Sequence, residues 1–309
     1  MSKVKLYAPG YYKDFSCIAD QCTHSCCIGW EIDIDGVTME KYASVSHGYG
    51  ERIRESIDRT GTPHFCLAAR DRCPHLDETG LCRIISNLGE AYLCDICREH
   101  PRFYNDICRG KEVGLGMACE EACRIILESD EYGRMIEIGE VDGEIESADF
   151  DAVACRDSVY EILSDNSIPY AEKLMRIQNE YGVRPDTLPD EAWRELLASL
   201  EYLDESHREM LARYSSDACT PPEWEKRLTR ALAYFIYRHG SGARDAREFR
   251  EAVGFSLFCE RLLASAANAE RAQNISDFIR LARIISEEIE YSEENTEAIR
   301  LEFSFMMED

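Results

Sequence analysis

Residues 17–27 read CIADQCTHSCC and place four cysteines, Cys17, Cys22, Cys26 and Cys27, within eleven residues. Sulfurs crowded in this way oxidise or repel one another as thiolates. A bound metal removes both problems, because it holds the thiolate and lowers the pKa of the thiol. The segment therefore predicts a metal-binding, loop-rich N-terminal region, and the other cysteines extend this interpretation.

Cysteines are concentrated in the N-terminal part of the chain. Of 15 cysteines in 309 residues, only Cys155, Cys219 and Cys259 follow residue 123. The other N-terminal pairs are Cys73 with Cys82, Cys94 with Cys97, and Cys119 with Cys123. An odd count excludes complete disulfide pairing, and the N-terminus lacks the apolar core of a signal peptide. We therefore expect a cytoplasmic protein, in which clustered cysteines bind metal or do redox chemistry.

The charge of the chain restricts its partners. Sixty acidic and 35 basic residues give a net charge of -25. Such a surface repels the phosphates of nucleic acid, so no nucleic-acid partner is expected. A lysine-bearing protein has the complementary sign. No apolar run approaches the roughly 20 residues of a membrane span, so no membrane association is expected.

Hydrophobic periodicity predicts a mainly α fold. We expect a cysteine-rich loop-and-helix region at 1–127, an acidic connector at 128–155 and a helical region at 156–309. Within the connector, MIEIGEVDGEIE alternates apolar and acidic residues, as a short strand does. Trp193 and Leu197 share one helical face, and a further amphipathic stretch at about 275–300 is expected.

The cysteine spacing indicates a metal without naming it. The C-x3-C-x2-C spacing of radical enzymes begins at Cys22 and Cys26, but Gly29 stands where the third thiol is needed. The ferredoxin run C-x2-C-x2-C is absent, and a zinc-type C-x2-C occurs once, at Cys94 and Cys97. Spacing alone does not distinguish an iron–sulfur site, a zinc site, and thiols that are inert or redox-active.

Four segments carry a family resemblance. They are YYKDFSCIADQCTHSCCIGWEIDID (11–35), CPHLDETGLCRIISNLGEAYLCDICREHPRF (73–103), YFIYRHG (234–240) and ISEEIEYSEEN (285–295). Through them the chain resembles the flagellin lysine N-methylase family, which carries a zinc- or iron-chelating domain called CxxCxxCC. The resemblance runs along nearly the whole chain, and its cysteine motifs are the specific part.

The resemblance implies methyl transfer from S-adenosylmethionine to lysine ε-amino groups of flagellin, with an iron–sulfur cluster. A 4Fe–4S cluster is expected, and zinc is the alternative. The family's cysteines fall on Cys17, Cys22, Cys26, Cys27, Cys73, Cys82, Cys97 and Cys119. Cys66, Cys94, Cys108 and Cys123 match less well. Eight thiols exceed the four of a single four-cysteine site. Either two metals bind, or some of the thiols contact the ligands without binding the metal themselves.

Candidate residues for binding the methyl donor flank Cys97. Arg98 and Arg102 have the fork that binds a carboxylate, here that of the methionine group, and neutralising nearby thiolates is an equal alternative. An open iron of the cluster is a further hypothesis for holding that group. No G-x-G-x-G loop follows a clear strand, so a Rossmann-type methyltransferase is not predicted.

Lysine methylation needs the neutral amine, so a proton acceptor is required. Tyr11, Tyr12 and Glu290 are the candidates, with Glu287 and Glu288 beside them. The alternative for ISEEIEYSEEN is a solvated helix end, which its five glutamates readily explain. Other functions stay open: a non-enzymatic zinc- or iron-chelating protein, an iron–sulfur redox or radical enzyme, and a zinc-stapled interaction module.

Overall fold

The computed structural model describes residues 2–46, 48–145, 149–218 and 220–305, and only the backbone of Phe305. Helices dominate these residues, which confirms the predicted mainly α fold. The chain forms two compact units. The small unit comprises residues 16–101, and the large unit comprises residues 1–15 and 102–309.

The strands in chain order are β1 Lys3–Pro9, β2 Ile57–Asp58, β3 His64–Phe65, β4 Arg102–Ile107, β5 Gly110–Leu115 and β6 Met135–Asp142. The helices are α1 Gly36–Ser44, α2 Gly48–Glu55, α3 Arg83–Leu88, α4 Asp95–Glu99, α5 Glu120–Glu128, α6 Ala152–Ser164, α7 Tyr170–Tyr181, α8 Asp190–Ser199, α9 Glu205–Leu211, α10 Pro222–Gly240, α11 Ala246–Ala269, α12 Ile275–Ile285 and α13 Glu293–Phe305. A π-helical turn, Ser286–Glu290, follows α12.

The large unit contains a four-stranded sheet in the order β4-β5-β1-β6. β1 pairs parallel with β5 and antiparallel with β6, and β4 and β5 form a hairpin. Gly110 begins β5 with a φ of 145°, and a Cβ there would lie 2.3 Å from the carbonyl oxygen of Lys5. Glycine is therefore required where β5 meets β1.

The observed division of the chain differs from the boundaries expected at 127 and 155. The first 15 residues join the large unit because β1 lies between β5 and β6. The expected acidic connector supplies β6, an outer strand of the same sheet, and this confirms the strand read from the alternation in MIEIGEVD. The boundaries between the two units therefore depend on strand pairing between distant segments, which local sequence patterns do not predict.

The helical core of the large unit is built around aromatic pairs. Trp193 on α8 stacks on Phe258 of α11 with ring centroids 4.1 Å apart, and Trp224 on α10 stacks on Phe278 of α12 at 4.9 Å. Such pairs contribute about 0.5–1.5 kcal/mol beyond their buried area. Leu197, like Trp193, is fully buried, which confirms the predicted face. Among the described residues, no helix is both long and apolar enough to cross a membrane.

The amphipathic stretch expected at 275–300 is interrupted. After α12 the backbone widens, and the Tyr291 N–H donates to the Ser286 carbonyl oxygen at 3.2 Å, five residues back. The glutamates of this turn, Glu287, Glu288 and Glu290, are each less than 8% exposed. The interpretation of ISEEIEYSEEN as a solvated helix end is therefore wrong for Ser286–Glu290, and it holds for Glu293 and Glu294, which are exposed.

The small unit has a modest core among loops and short helices. Its buried residues include Ile32, Tyr42, Ile53 and Phe65, together with the thiol of Cys73. Its sheet is a hairpin of two strands, β2 and β3, each two residues long. A core of this size leaves room for metal binding to contribute to stability.

A buried glutamate on α11 gives the large unit a pH-dependent stability. Burial raises the pKa of Glu260 to about 7, and the carboxylate accepts a hydrogen bond from Tyr170. Because the pKa is higher in the folded chain than its ordinary 4.5, the folded state binds more protons between these values. The free energy of unfolding should therefore fall by about 3 kcal/mol as the pH rises from about 4.5 to about 7, and then level off.

Glu260→Gln should abolish this fall, since glutamine does not titrate and still accepts from Tyr170. Urea unfolding at pH 5, 6, 7 and 8 measures it, and Glu191→Gln on the exposed side of α8 is the control. If Glu260→Gln and Glu191→Gln keep the same pH profile as the unaltered chain, Glu260 does not titrate in this range.

Candidate metal centre and charged cavity

The C-x-x-C pair of the small unit brings two sulfurs into contact. Cys94 is the N-cap of α4 and Cys97 lies in its first turn, so both side chains lie on the same side of the helix start. Their Sγ atoms are 3.4 Å apart. Sharing one proton lowers the pKa of Cys94 and raises that of Cys97, which is also raised by burial.

A tight turn brings Cys73 and Cys82 close to each other. The Asp77 carboxylate accepts from the backbone N–H groups of Thr79 and Leu81, and Gly80 has a φ of 90°. Leu76 bridges to Cys82 across this turn. Asp77 thus organises the turn, as its composition predicts. The two thiols interact by charge, and burial raises the pKa of each.

Cys27 extends from the first cysteine motif to this pair. The Cys73 N–H donates to the Cys27 carbonyl oxygen at 2.9 Å. A hydrogen bond from Cys26 lowers the pKa of Cys27 to about 7, aided by Ser25 and by the positive charge of Arg72, against the effect of burial. A pKa of about 7 makes the Cys27 thiol readily ionised near neutral pH.

Thiols from three motifs converge in the small unit. They interact electrostatically with one another and pack on its core, and we call them the thiol cluster: Cys27, Cys73, Cys82, Cys94 and Cys97. All are free thiols. Soft sulfur donors gathered at a half-buried position are the donor set of zinc and iron–sulfur sites. These residues therefore supply the donor chemistry of a thiolate-bound metal, with Cys94 and Cys97 as the pair in contact.

The other cysteines expected to bind metal lie outside the thiol cluster. Cys17 and Cys26 are exposed, and Cys22 is half-buried. Cys119 belongs to the large unit, where it is the N-cap of α5. Cys94, which matches the family pattern less well, stands in the cluster beside Cys97. Its C-x-x-C spacing is the sequence signal that indicates this position.

The arginines expected to bind the methyl donor have protein partners. Arg98, on α4 of the small unit, pairs with Asp95 and Glu99. Arg102, at the start of β4, donates to the Tyr12 hydroxyl at 2.8 Å in the large unit. Tyr12 is half-buried, whereas Tyr11 is 3% exposed and part of the core. Burial raises the pKa of Tyr11.

Glu290 joins the two C-terminal motifs of the resemblance. Its Oε1 is 2.7 Å from His239 Nε2 and 3.4 Å from Arg238 Nε, and its Oε2 accepts from the Tyr234 hydroxyl at 3.1 Å. Glu290 is fully buried, yet the Arg238 charge holds the pKa of its carboxyl below the usual range. The segments YFIYRHG and ISEEIEYSEEN thus meet in one buried charged network.

This network forms part of the wall of a cavity of about 670 Å³ in the large unit, which we call the α13 cavity. That volume lies within the range of small-molecule sites. It is lined by Phe103, Tyr104, Asn105, Arg238, His239, Arg244, Glu248, Glu251, Glu290, Glu293, Thr296, Glu297, Arg300, Leu301 and Ser304. Both signs of charge therefore face the same space, with acids in excess.

Two other clusters of charged side chains in the large unit form ion pairs and hydrogen bonds within the protein. In a cavity of about 720 Å³, Asp130 pairs with both Lys226 and Arg230. The ligand atoms of His207, Glu287 and Glu288 lie within 4.8 Å of one another. However, Glu287 pairs with Arg283, and Glu288 accepts from His207 and from the N–H groups of residues 203 and 204. These carboxylates stabilise the fold.

A mainly α chain with a cluster of free thiols and a cavity of mixed charge is a candidate metal-binding protein with a separate ligand site. Comparison with known proteins narrows this class. The flagellar biosynthetic protein FliU of Salmonella muenchen is 28% identical over 134 residues, which are 41% of this chain and 79% of FliU.

Proteins named lysine-N-methylase from Salmonella choleraesuis and Salmonella typhimurium are also 28% identical over 134 residues, 41% of this chain. The match covers 33% of each of them, so the chain aligns with about a third of their length. These similarities confirm the resemblance to the lysine N-methylase family. No family model matches the chain, and no solved structure matches it.

Proposed function

We propose that this chain is a protein-lysine N-methyltransferase that uses S-adenosylmethionine, with a flagellin-type protein as substrate. The similarity to proteins named lysine-N-methylase and FliU carries the proposal. The net charge of -25 supports it, because an acidic surface attracts a lysine-rich segment and speeds its encounter.

The thiol cluster is proposed to hold an iron–sulfur cluster, with zinc as the alternative. Cys73, Cys82, Cys94 and Cys97 are proposed as its ligands, and Cys27 as a fifth donor. When bound, such a group ties the loops of the small unit together and supplies a Lewis-acidic or redox-active centre. Four or five thiolates from three motifs would otherwise repel one another.

Methyl transfer requires a neutral lysine nitrogen. Its lone pair forms a bond to the methyl carbon of the donor, the carbon–sulfur bond breaks, and sulfur keeps that electron pair. The proton of the ammonium must leave first, since free lysine has a pKa near about 10.4. Among the three expected acceptors, Glu290 lines the α13 cavity, so it is the proposed acceptor, and Tyr12 is the alternative.

Methyl transfer to protein tests this function. The chain is purified anaerobically, and iron, sulfide and zinc are measured. It is then incubated with S-adenosylmethionine carrying a labelled methyl group and with a lysine-rich flagellin. We expect label on lysine, located by mass spectrometry of peptides, and none with flagellin whose lysines are chemically acetylated. Retained metal without labelled lysine would favour the non-enzymatic chelating protein instead.

A further inference from the structure

Arg300 is an under-compensated cation in the wall of the α13 cavity. Its guanidinium donates to the His239 carbonyl oxygen at 3.0 Å, but its Nε is buried without a hydrogen-bond partner among the described residues. Glu248 and Glu251 act on it by charge at a distance. Burial outweighs both and lowers the pKa of Arg300. A half-buried guanidinium whose buried Nε has no partner favours an added anion, above all a carboxylate.

Acidic groups face the same cavity from two helices. Glu293, Glu297 and Arg300 follow one another at helical spacing on one face of α13. Glu251 lies on α11. Glu248, Glu251 and Glu290 already pair with Arg244, Arg247 and Arg238, so they add little further charge. The cavity therefore offers Arg300 to a carboxylate, and Glu293 and Glu297 to positively charged groups.

The third side of the cavity is aromatic and polar. Phe103, Tyr104 and Asn105 of β4 contribute to it, and Tyr104 is half exposed. The Asn105 side chain donates to the Tyr237 carbonyl oxygen, which fixes its orientation. Aromatic rings and an oriented amide are groups that bind a planar heterocycle.

A lysine side chain alone does not fit this distribution of charge. It carries one positive group and would meet three arginines, Arg238, Arg244 and Arg300, in the cavity wall. A ligand with a carboxylate, two positive centres and a heterocycle satisfies all three sides. The methionine part, the sulfonium and the adenine of S-adenosylmethionine have this chemistry.

We propose that the α13 cavity is the binding site of the methyl donor. Arg300 binds the carboxylate of its methionine part, and Glu293 and Glu297 attract its ammonium and sulfonium groups. This assignment rests on the proposed function, and it places donor recognition within the large unit, on residues outside the thiol cluster.

Binding measurements test the assignment without turnover. Isothermal titration calorimetry of the full chain is done with S-adenosylmethionine, S-adenosylhomocysteine and decarboxylated S-adenosylmethionine. Arg300→Met should weaken the first two by at least about tenfold, the value of a charge-assisted hydrogen bond, and leave the decarboxylated compound nearly unaffected. Glu297→Gln should weaken S-adenosylmethionine several-fold more than S-adenosylhomocysteine, which lacks the sulfonium charge.

Arg176→Gln, on the exposed side of α7, is the control and should bind all three compounds as the unaltered chain does. Near-ultraviolet circular dichroism establishes that each variant is folded. Should Arg300→Met fail to fold, Glu297→Gln decides the matter, because only a donor bound beside α13 loses more S-adenosylmethionine affinity than S-adenosylhomocysteine affinity in that variant.

The outcomes separate this assignment from the proposed function. Donor binding that depends on Arg300, without methyl transfer to lysine, supports the site and contradicts the function. Methyl transfer with Arg300→Met and Glu297→Gln binding the donor normally overturns the site and leaves the function standing. Donor binding lost on metal removal but unchanged in both variants would also overturn it, in favour of the metal. No binding to the unaltered chain overturns it outright.

Discussion

Cys97→Ser is expected to purify with less than about a tenth of the metal held by the unaltered chain. The Cys97 sulfur lies 3.4 Å from that of Cys94 and interacts with the thiols of Cys27 and Cys73. A serine hydroxyl stays protonated near neutral pH and is a poor ligand for zinc or iron–sulfur groups. Metal, iron and sulfide per chain after anaerobic purification measure the effect.

Cys66→Ser is the matched control, because Cys66 belongs to the same unit and is exposed. It should retain the metal. Losing the metal in Cys97→Ser should also make the small unit sensitive to proteolysis, since its own core is small. Metal content equal in Cys97→Ser and Cys66→Ser would remove Cys97 from the ligand set.

Local features of the small unit can be predicted from sequence. The turn after Leu76 follows from Asp77 and Gly80, and the C-x-x-C spacing places Cys94 with Cys97. Which of the other thiols approach that pair depends on contacts between segments up to about seventy residues apart. Spacing carries no information on such contacts, so Cys17 and Cys22 could not be separated from Cys27.

In the large unit, too, the features that the sequence does not predict depend on contacts between distant segments. The alternation in residues 135–142 predicts β6, but nothing local predicts that β1 lies between β5 and β6. Consecutive glutamates such as Glu287 and Glu288 suggest exposure, because burying a charge is costly unless it is paired. Their partners, Arg283 and His207, become visible only in the fold.

Glu290→Ala is expected to lower the free energy of unfolding by about 3–5 kcal/mol. The substitution leaves the largely buried Arg238 without its carboxylate and removes the acceptor of the Tyr234 hydroxyl. Urea unfolding followed by far-ultraviolet circular dichroism measures it. Glu294→Ala, an exposed residue at the start of α13, should change this free energy by less than about 0.5 kcal/mol.

The contribution of charge is separated from that of shape by two further variants. Glu290→Gln keeps the volume and a hydrogen-bond acceptor but not the charge, so its loss should be smaller than that of Glu290→Ala. Combining Glu290→Ala with Arg238→Met should cost less than the sum of the two single changes, because neither charge is then left unpaired. Strict additivity would mean that Arg238 and Glu290 do not stabilise each other. A stable Glu290→Gln that still binds S-adenosylmethionine but transfers no methyl group would then indicate Glu290 as the proton acceptor.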